Sequence, residues 1–142
     1  MRLFYIVFIT NPHTGRVKNF NSYTQKRGEL AENLACRYLE RKGYKILERN
    51  YSRRCGEVDI IAEKQNITHF IEVKSVSREN RMLRPEEMVD SRKLLKLSKT
   101  ICSYVSEHTV NVWQFDVFCL ILDHRLKKAT LARLEDLILT EG

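Results

Sequence analysis

The sequence predicts an α/β protein, a mixed β-sheet with helices on its faces. Three observations carry this. Gly56–Lys74 reads GEVDIIAEKQNITHFIEVK. Its two runs of β-branched and aromatic residues, Val58–Ala62 and Ile67–Val73, flank the polar Lys64–Gln65–Asn66, which is the pattern of a β-hairpin. Apolar residues recur at helical spacing on both sides of the hairpin, over Gln25–Lys42 and again from Pro85 to about Glu107. A further apolar strand, Trp113–Leu122, follows the second helix. A strand reached through a helical crossover lies parallel to its neighbour, so hairpin and crossover together make the sheet mixed. A chain of 142 residues is one domain and buries roughly 70% of its unfolded surface, enough for a single core.

Taken in order, Met1–Thr10 (MRLFYIVFIT) is too short to cross a bilayer and lacks the cleavage site of a signal peptide, so a strand is expected. It is either an added edge strand or a pairing surface for another copy, which would give a homodimer. Asn11–Thr24, with Pro, Gly and Asn, is expected as a turn or linker, which makes 1–24 an N-terminal extension to a domain over 25–142. In the first helix Leu30, Leu34 and Tyr38 recur every four residues beside Ala31, Ala35 and Leu39, and Gly43 stops it. Tyr44–Asn50 is the next strand, and the basic loop Tyr51–Gly56 (YSRRCG) leads into the hairpin. Ser75–Arg84 is expected as a charged loop, with Pro85, Glu86 and Glu87 marking the start of the second helix. That helix turns Val89, Leu94, Leu97, Ile101, Tyr104 and Val105 to one face and Arg92, Lys96 and Lys99 to another. Lys93 falls at the edge of the apolar face, nearer the sheet. Lys127–Leu134 reads as a last strand and Glu135–Thr140 as a short tail element.

The charges of the hairpin are placed oddly. Asp59 interrupts its first run, and Glu72 and Lys74 end the second on one face of the strand. Pairing brings Asp59 near the same end, so two carboxylates and an ammonium converge. A cross-strand salt bridge at a solvated strand end would account for the acid–base part. It does not account for the second acid, because two carboxylates about 5 Å apart repel by roughly 3 kcal/mol at an effective dielectric near 20. A divalent cation turns that repulsion into coordination. Oxygen ligands suit Mg²⁺ or Mn²⁺, and one or two carboxylates leave waters on the ion.

Asp59 followed by Glu72-Val73-Lys74 resembles the D…(D/E)-x-K signature of the PD-(D/E)XK nuclease superfamily, with Val58 where the superfamily name has Pro. The wider string is similar to the YraN family of predicted endonucleases, itself similar to archaeal Holliday-junction resolvases. It comprises Ala31-Glu32, Tyr38-Leu39, Gly43-Tyr44, Ile46-Leu47, Arg49-Asn50, Gly56-Glu57-Val58-Asp59, Phe70 to Lys74 and Phe115-Asp116-Val117. The resemblance covers about Lys26 to Leu122 and implies an αβββαβ restriction-endonuclease-like core, to which the N-terminal strand is extra. It implies a nuclease-like domain in which Asp59, Glu72 and the Val73 carbonyl hold Mg²⁺ or Mn²⁺, and Lys74 positions water and stabilises phosphate. The expected activity is endonucleolytic hydrolysis of DNA, branched or structured DNA among the substrates. The family motif also places an acid directly after Ala31. Helical phase agrees, setting Glu32 at the edge of the buried face, roughly 110° from its centre, and Glu29 roughly 170° away in solvent. Glu32 therefore joins the expected catalytic set. Glu57 and Lys93 are expected beside it, acting through its ligands.

Net charge is +7 and the pI about 9.4, which suggests a polyanionic partner. Nucleic acid is expected, DNA before RNA, and no membrane. Arg53 and Arg54 in the loop, Arg78 and Arg81 after the hairpin, and the helix stripe Arg92, Lys96 and Lys99 are the candidate phosphate contacts. Cys36, Cys102 and Cys119 fall in apolar stretches and are expected as buried thiols, with Cys55 in a loop. No C-x-x-C or zinc spacing occurs, and a cytoplasmic location fits best. A non-catalytic nucleic-acid-binding protein of the same fold is the alternative.

Overall fold

The computed structural model describes residues 2–7, 20–78, 90–137 and 139, with side chains from residue 25 onward. Arg81, Val89 and the expected helix start at Pro85–Glu87 lie outside the described residues. Elements follow in the order β1 (Arg2–Val7), α1 (Phe20–Arg41), β2 (Lys45–Arg53), β3 (Gly56–Lys64), β4 (Ile67–Ser77), α2 (Ser91–Glu107), β5 (Val112–Asp123) and β6 (Lys128–Leu134). The strands form one sheet in the order β1-β6-β5-β4-β3-β2. Only the β4–β5 pair is parallel among the pairs described, as the α2 crossover requires. This is the expected mixed α/β sheet, with β1 added at the β6 edge.

Local chemistry sets the boundaries. Gln65 and Asn66, at φ 52 and 62, make a two-residue hairpin turn whose left-handed backbone follows the sheet twist, and Lys64 belongs to β3 rather than to the turn. Gly43 at φ 83 ends α1, so that the Tyr44 N–H reaches back to the Leu39 carbonyl at 3.0 Å. Several expected boundaries move. α1 begins at Phe20, so residues 20–24 are helical and not linker. β2 continues to Arg53 with Tyr51 buried in it, which shrinks the expected loop to a turn at Arg54 and Cys55. β4 runs on to Ser77, so Glu72 and Lys74 lie inside a strand and not at its end. Residues 135–137 form no helix or strand. They are tied back to β5 by Asp136 N–H to Asp116 and Leu137 N–H to the Phe115 carbonyl.

Each face of the sheet buries one helix. Leu34, Ala35 and Leu39 of α1 pack on Ile60, Ile71, Phe118, Leu120 and Leu131. Leu97, Ile101 and Tyr104 of α2 pack on Ile61, Phe70, Phe115 and Val117. Full burial of each of the Leu, Ile, Val and Phe side chains stabilises the fold by roughly 1.5–3 kcal/mol. Gly56 lets the β2–β3 turn close on α2, since a Cβ there would stand 3.1 Å from the Thr100 hydroxyl. Cys36 and Cys119 are buried as expected. Cys102 is exposed, on the outer side of α2, because its position in the apolar stretch falls off the helix's buried phase.

Two irregularities flank Asp59. The β3–β4 ladder is described from Lys64↔Ile67 to Ile60↔Ile71 and goes no further, although β3 stays paired to β2 as far as Gly56 and β4 to β5 as far as Ser77. The two strands therefore part at Asp59 and Glu72. On the other side, Asn50 of β2 has φ 51, a conformation Asn tolerates better than most residues.

Candidate active site

The parted strands would leave the Val73 N–H without a ladder partner, and the Asp59 carboxylate supplies one, accepting from it at 2.7 Å. In an extended strand a residue's N–H and C=O point to the same side, so the Val73 carbonyl faces the same gap. Glu72 is 5% exposed, and one of its oxygens accepts from both Lys74 (3.0 Å) and Lys93 of α2 (2.5 Å). Glu72, Lys74, Lys93, Asp90, Leu94 and Leu97 line a small hollow between β4 and α2. Lys93 thus reaches the site from the helix edge, as its phase requires.

Burial, and then the charge of Glu72, pushes the Asp59 carboxyl up to about 7 against the pull of the Val73 N–H, and Glu32 adds to the rise. No ion pair reaches Asp59 among the described residues, since both lysines sit on Glu72. The Glu32 carboxyl is itself raised, chiefly by burial, despite Arg49 at 3.6 Å. With its amide nitrogen turned to the acids, Asn50 donates to Glu32 at 3.2 Å and Glu57 at 3.1 Å. Glu57 is exposed and meets the site through Asn50 and Glu32, not by touching Glu72. Glu29 is exposed, on the rim of an open polar cleft that Glu32, Arg49 and Asn50 also line.

Asn50 escaped the sequence reading as a site residue. Its signal was there, a poor strand former with a taste for left-handed backbone inside a strand pattern.

Among the described residues no group of three or more His, Cys, Asp or Glu side chains could hold a metal ion. The oxygen donors that a cation could use where the strands part are two carboxylates, Asp59 and Glu72, and the Val73 carbonyl. That set excludes a closed zinc site, which needs three or four N or S ligands. Its chemistry suits a hard octahedral cation that keeps several waters, Mg²⁺ or Mn²⁺.

The basic surface is narrower than expected. Arg53 is not free: it donates to Glu107 at 2.7 and 3.3 Å and lies 4.1 Å over the Tyr51 ring. Arg78 is likewise held, by Asp123 at 2.6 Å. Arg54, Arg92, Lys96 and Lys99 are exposed, and the turn carrying Arg54 abuts α2 at Lys96 and Thr100. No helix among the described residues is long and apolar enough to cross a membrane.

Asp116, which interrupts β5, belongs elsewhere. Burial would raise its carboxyl, but hydrogen bonds from His69 (3.0 Å), the Asp136 N–H (2.9 Å) and Gln114 (2.9 Å), with the Arg133 charge, hold it below the usual range. Its carboxylate is satisfied, in a buried cluster that knits β4, β5, β6 and residue 136.

Fold and site together define a mixed-sheet α/β protein with a paired-carboxylate centre where two strands part. Residues 31–120 match the family model described as "Uncharacterised protein family UPF0102", and the chain belongs to that family. A UPF0102 protein of Fervidobacterium nodosum is 41% identical over 107 residues, covering 72% of this chain and 79% of the relative. Another, of Campylobacter lari, is 41% identical over 97 residues, 68% and 84% of the two chains. One of Campylobacter fetus is 37% identical over 94 residues, 66% and 81%.

Proposed function

We propose that the chain is a metal-dependent endonuclease that hydrolyses DNA phosphodiesters, with structured or branched DNA as the substrate class. One observation carries this reading. A carboxylate pair, Asp59 half-buried and Glu72 buried, is held where β3 and β4 part, and Asp59 has no ion pair among the described residues. Clustered acids repel phosphate, so a surface meant only to bind nucleic acid gains nothing from them. The resemblance to PD-(D/E)XK nucleases and the positive charge of the chain support the same reading.

Asp59, Glu72 and the Val73 carbonyl would hold Mg²⁺ or Mn²⁺, an ion that supplies Lewis acidity for activating water and neutralising phosphate charge. Lys74, beside Glu72, orients the attacking water and offsets charge on the phosphate. Glu32 joins from α1, fixed by Arg49 and Asn50. Arg54 and the α2 stripe hold the backbone of the duplex without reading its sequence.

The test is a panel of labelled DNAs (junction, flap, single strand, plain duplex) incubated with Mn²⁺, Mg²⁺ or EDTA. Cutting is expected only with metal. Asp59→Ala, Glu72→Ala and Lys74→Ala should each lower it by about a hundredfold or more while circular dichroism stays native. Cutting that persists in EDTA, or in Asp59→Ala, would sink the proposal. The second reading, a non-catalytic nucleic-acid-binding protein of the same fold, is favoured by the two ammonium groups already seated on Glu72. It gives binding without cutting under every condition.

A further inference from the structure

We infer that Lys93 is an exchangeable counter-ion: it holds the Glu72 carboxylate until a divalent cation arrives, then leaves that oxygen for the phosphate of the bound strand. The inference rests on the metal-dependent reading above.

The geometry sets it up. Two ammonium groups share a single oxygen of Glu72. Lys74 is fixed two residues along the same strand and is largely covered, with 23% of its side chain exposed. Lys93 comes from a different element and its side chain is 52% exposed. One of the two must give way for a cation to take that oxygen, and Lys93 is the one with somewhere to go. Its position is also unfavourable for the helix. It stands in the first turn of α2 beside Arg92, two cations near the positive end of the helix dipole, where the N-cap Asp90 carboxylate, accepting from the Arg92 N–H at 3.0 Å, is already engaged. The bond to Glu72 offsets the charge of Lys93 there, and a phosphate would replace that bond in kind. The hollow lined by Glu72, Lys74, Asp90 and Lys93 opens beside that turn, so the ammonium can swing out without unwinding α2.

A resident lysine competes with metal, and its removal should therefore tighten metal binding even where it harms cutting. Two measurements on the full chain test this. The first is Mn²⁺ affinity, by electron paramagnetic resonance of the free ion. Lys93→Gln should lower Kd about three- to tenfold, the scale of the net contribution of one hydrogen bond. Lys93→Arg, which keeps the competing charge, should stay within about twofold of wild type. The second is the acetylation rate of each lysine by an amine-reactive ester, read by mass spectrometry. The rate at Lys93 should rise when saturating Mn²⁺ is added to wild type, and should not change in Asp59→Asn. An unchanged or weaker Mn²⁺ affinity in Lys93→Gln would overturn the inference. So would a tightened affinity with unchanged labelling, which would leave Lys93 a mere charged neighbour. If wild type bound no Mn²⁺, or bound it without needing Asp59, the underlying metal reading would fail with it. Binding that depends on Asp59 but ignores Lys93 defeats the exchange alone.

Discussion

Asp59 is a carboxyl that the metal-free protein would rather keep protonated. Its value in the fold, about 7, lies well above the ordinary one, because of its partial burial and then the charge of Glu72 beside it. A group raised on folding adds stability that is fully present below its unfolded value and is lost as pH climbs through the folded one. In EDTA the melting temperature should therefore fall between about pH 4 and 7, the slope approaching about 1.4 kcal/mol per pH unit from this group alone. Asp116 acts in the opposite sense, and only at the acid end, since its carboxyl is held low. Asp59→Asn should remove the slope above pH 5, and saturating Mg²⁺ should flatten it in wild type. A wild-type melting curve as flat as that of Asp59→Asn would show that Asp59 is ionised without cost. The place of this residue was legible because an acid interrupting an apolar run is conspicuous. The way it is held was not: its bond to Val73 N–H depends on β3 and β4 parting, which no local pattern announces.

At the level of elements, the sheet brings together what the helices carry. α1 offers two acids one turn apart, and only one of them meets the site. Glu32 is half-buried against Arg49 and Asn50, whereas Glu29 is exposed on the cleft rim. Glu32→Gln should lower metal-dependent cutting by about tenfold or more, and Glu29→Gln should leave it within about twofold, as kcat on one DNA junction would show. Equal loss in both would mean that α1 contributes only bulk charge. The choice between these acids could be made from helical phase, because α1 keeps a regular 3.6-residue period over the whole stretch that matters. Strand ends were harder. Tyr51 and Ser75–Ser77 read as loop because their neighbours are charged, yet pairing across the sheet overrides local composition. The same cause misled the reading of Arg53, which ends β2 and whose partner Glu107 lies at the far end of α2.

Over the whole molecule, charge is less available than its total suggests. With Arg53 and Arg78 engaged, the exposed cations left among the described candidate phosphate contacts are Arg54, Arg92, Lys96 and Lys99. About four phosphate contacts give a log–log salt slope near −3.6 on duplex DNA, hence an affinity loss of about a hundredfold between roughly 50 and 200 mM salt. Fluorescence anisotropy without divalent metal measures this, and a flat response would remove α2 from the binding surface. The joining of β1 to β6 has a consequence in time. Residue 2 finds its partner at residue 133, so β1 cannot dock until the chain has brought β6 onto the sheet. Closing so long a loop costs about 4 kcal/mol in chain entropy, which contacts formed earlier must first offset. β1 should therefore be the last strand to dock and the first to leave. Ile6→Gly, which weakens a strand wherever its side chain points, should hasten unfolding and leave the refolding rate within about twofold. Stopped-flow refolding slowed in proportion to the lost stability would place β1 in the nucleus instead. Until that last pairing forms, the uncharged run from Leu3 to Val7 waits unpaired beside an unfinished sheet, which exposes it to mispairing during synthesis.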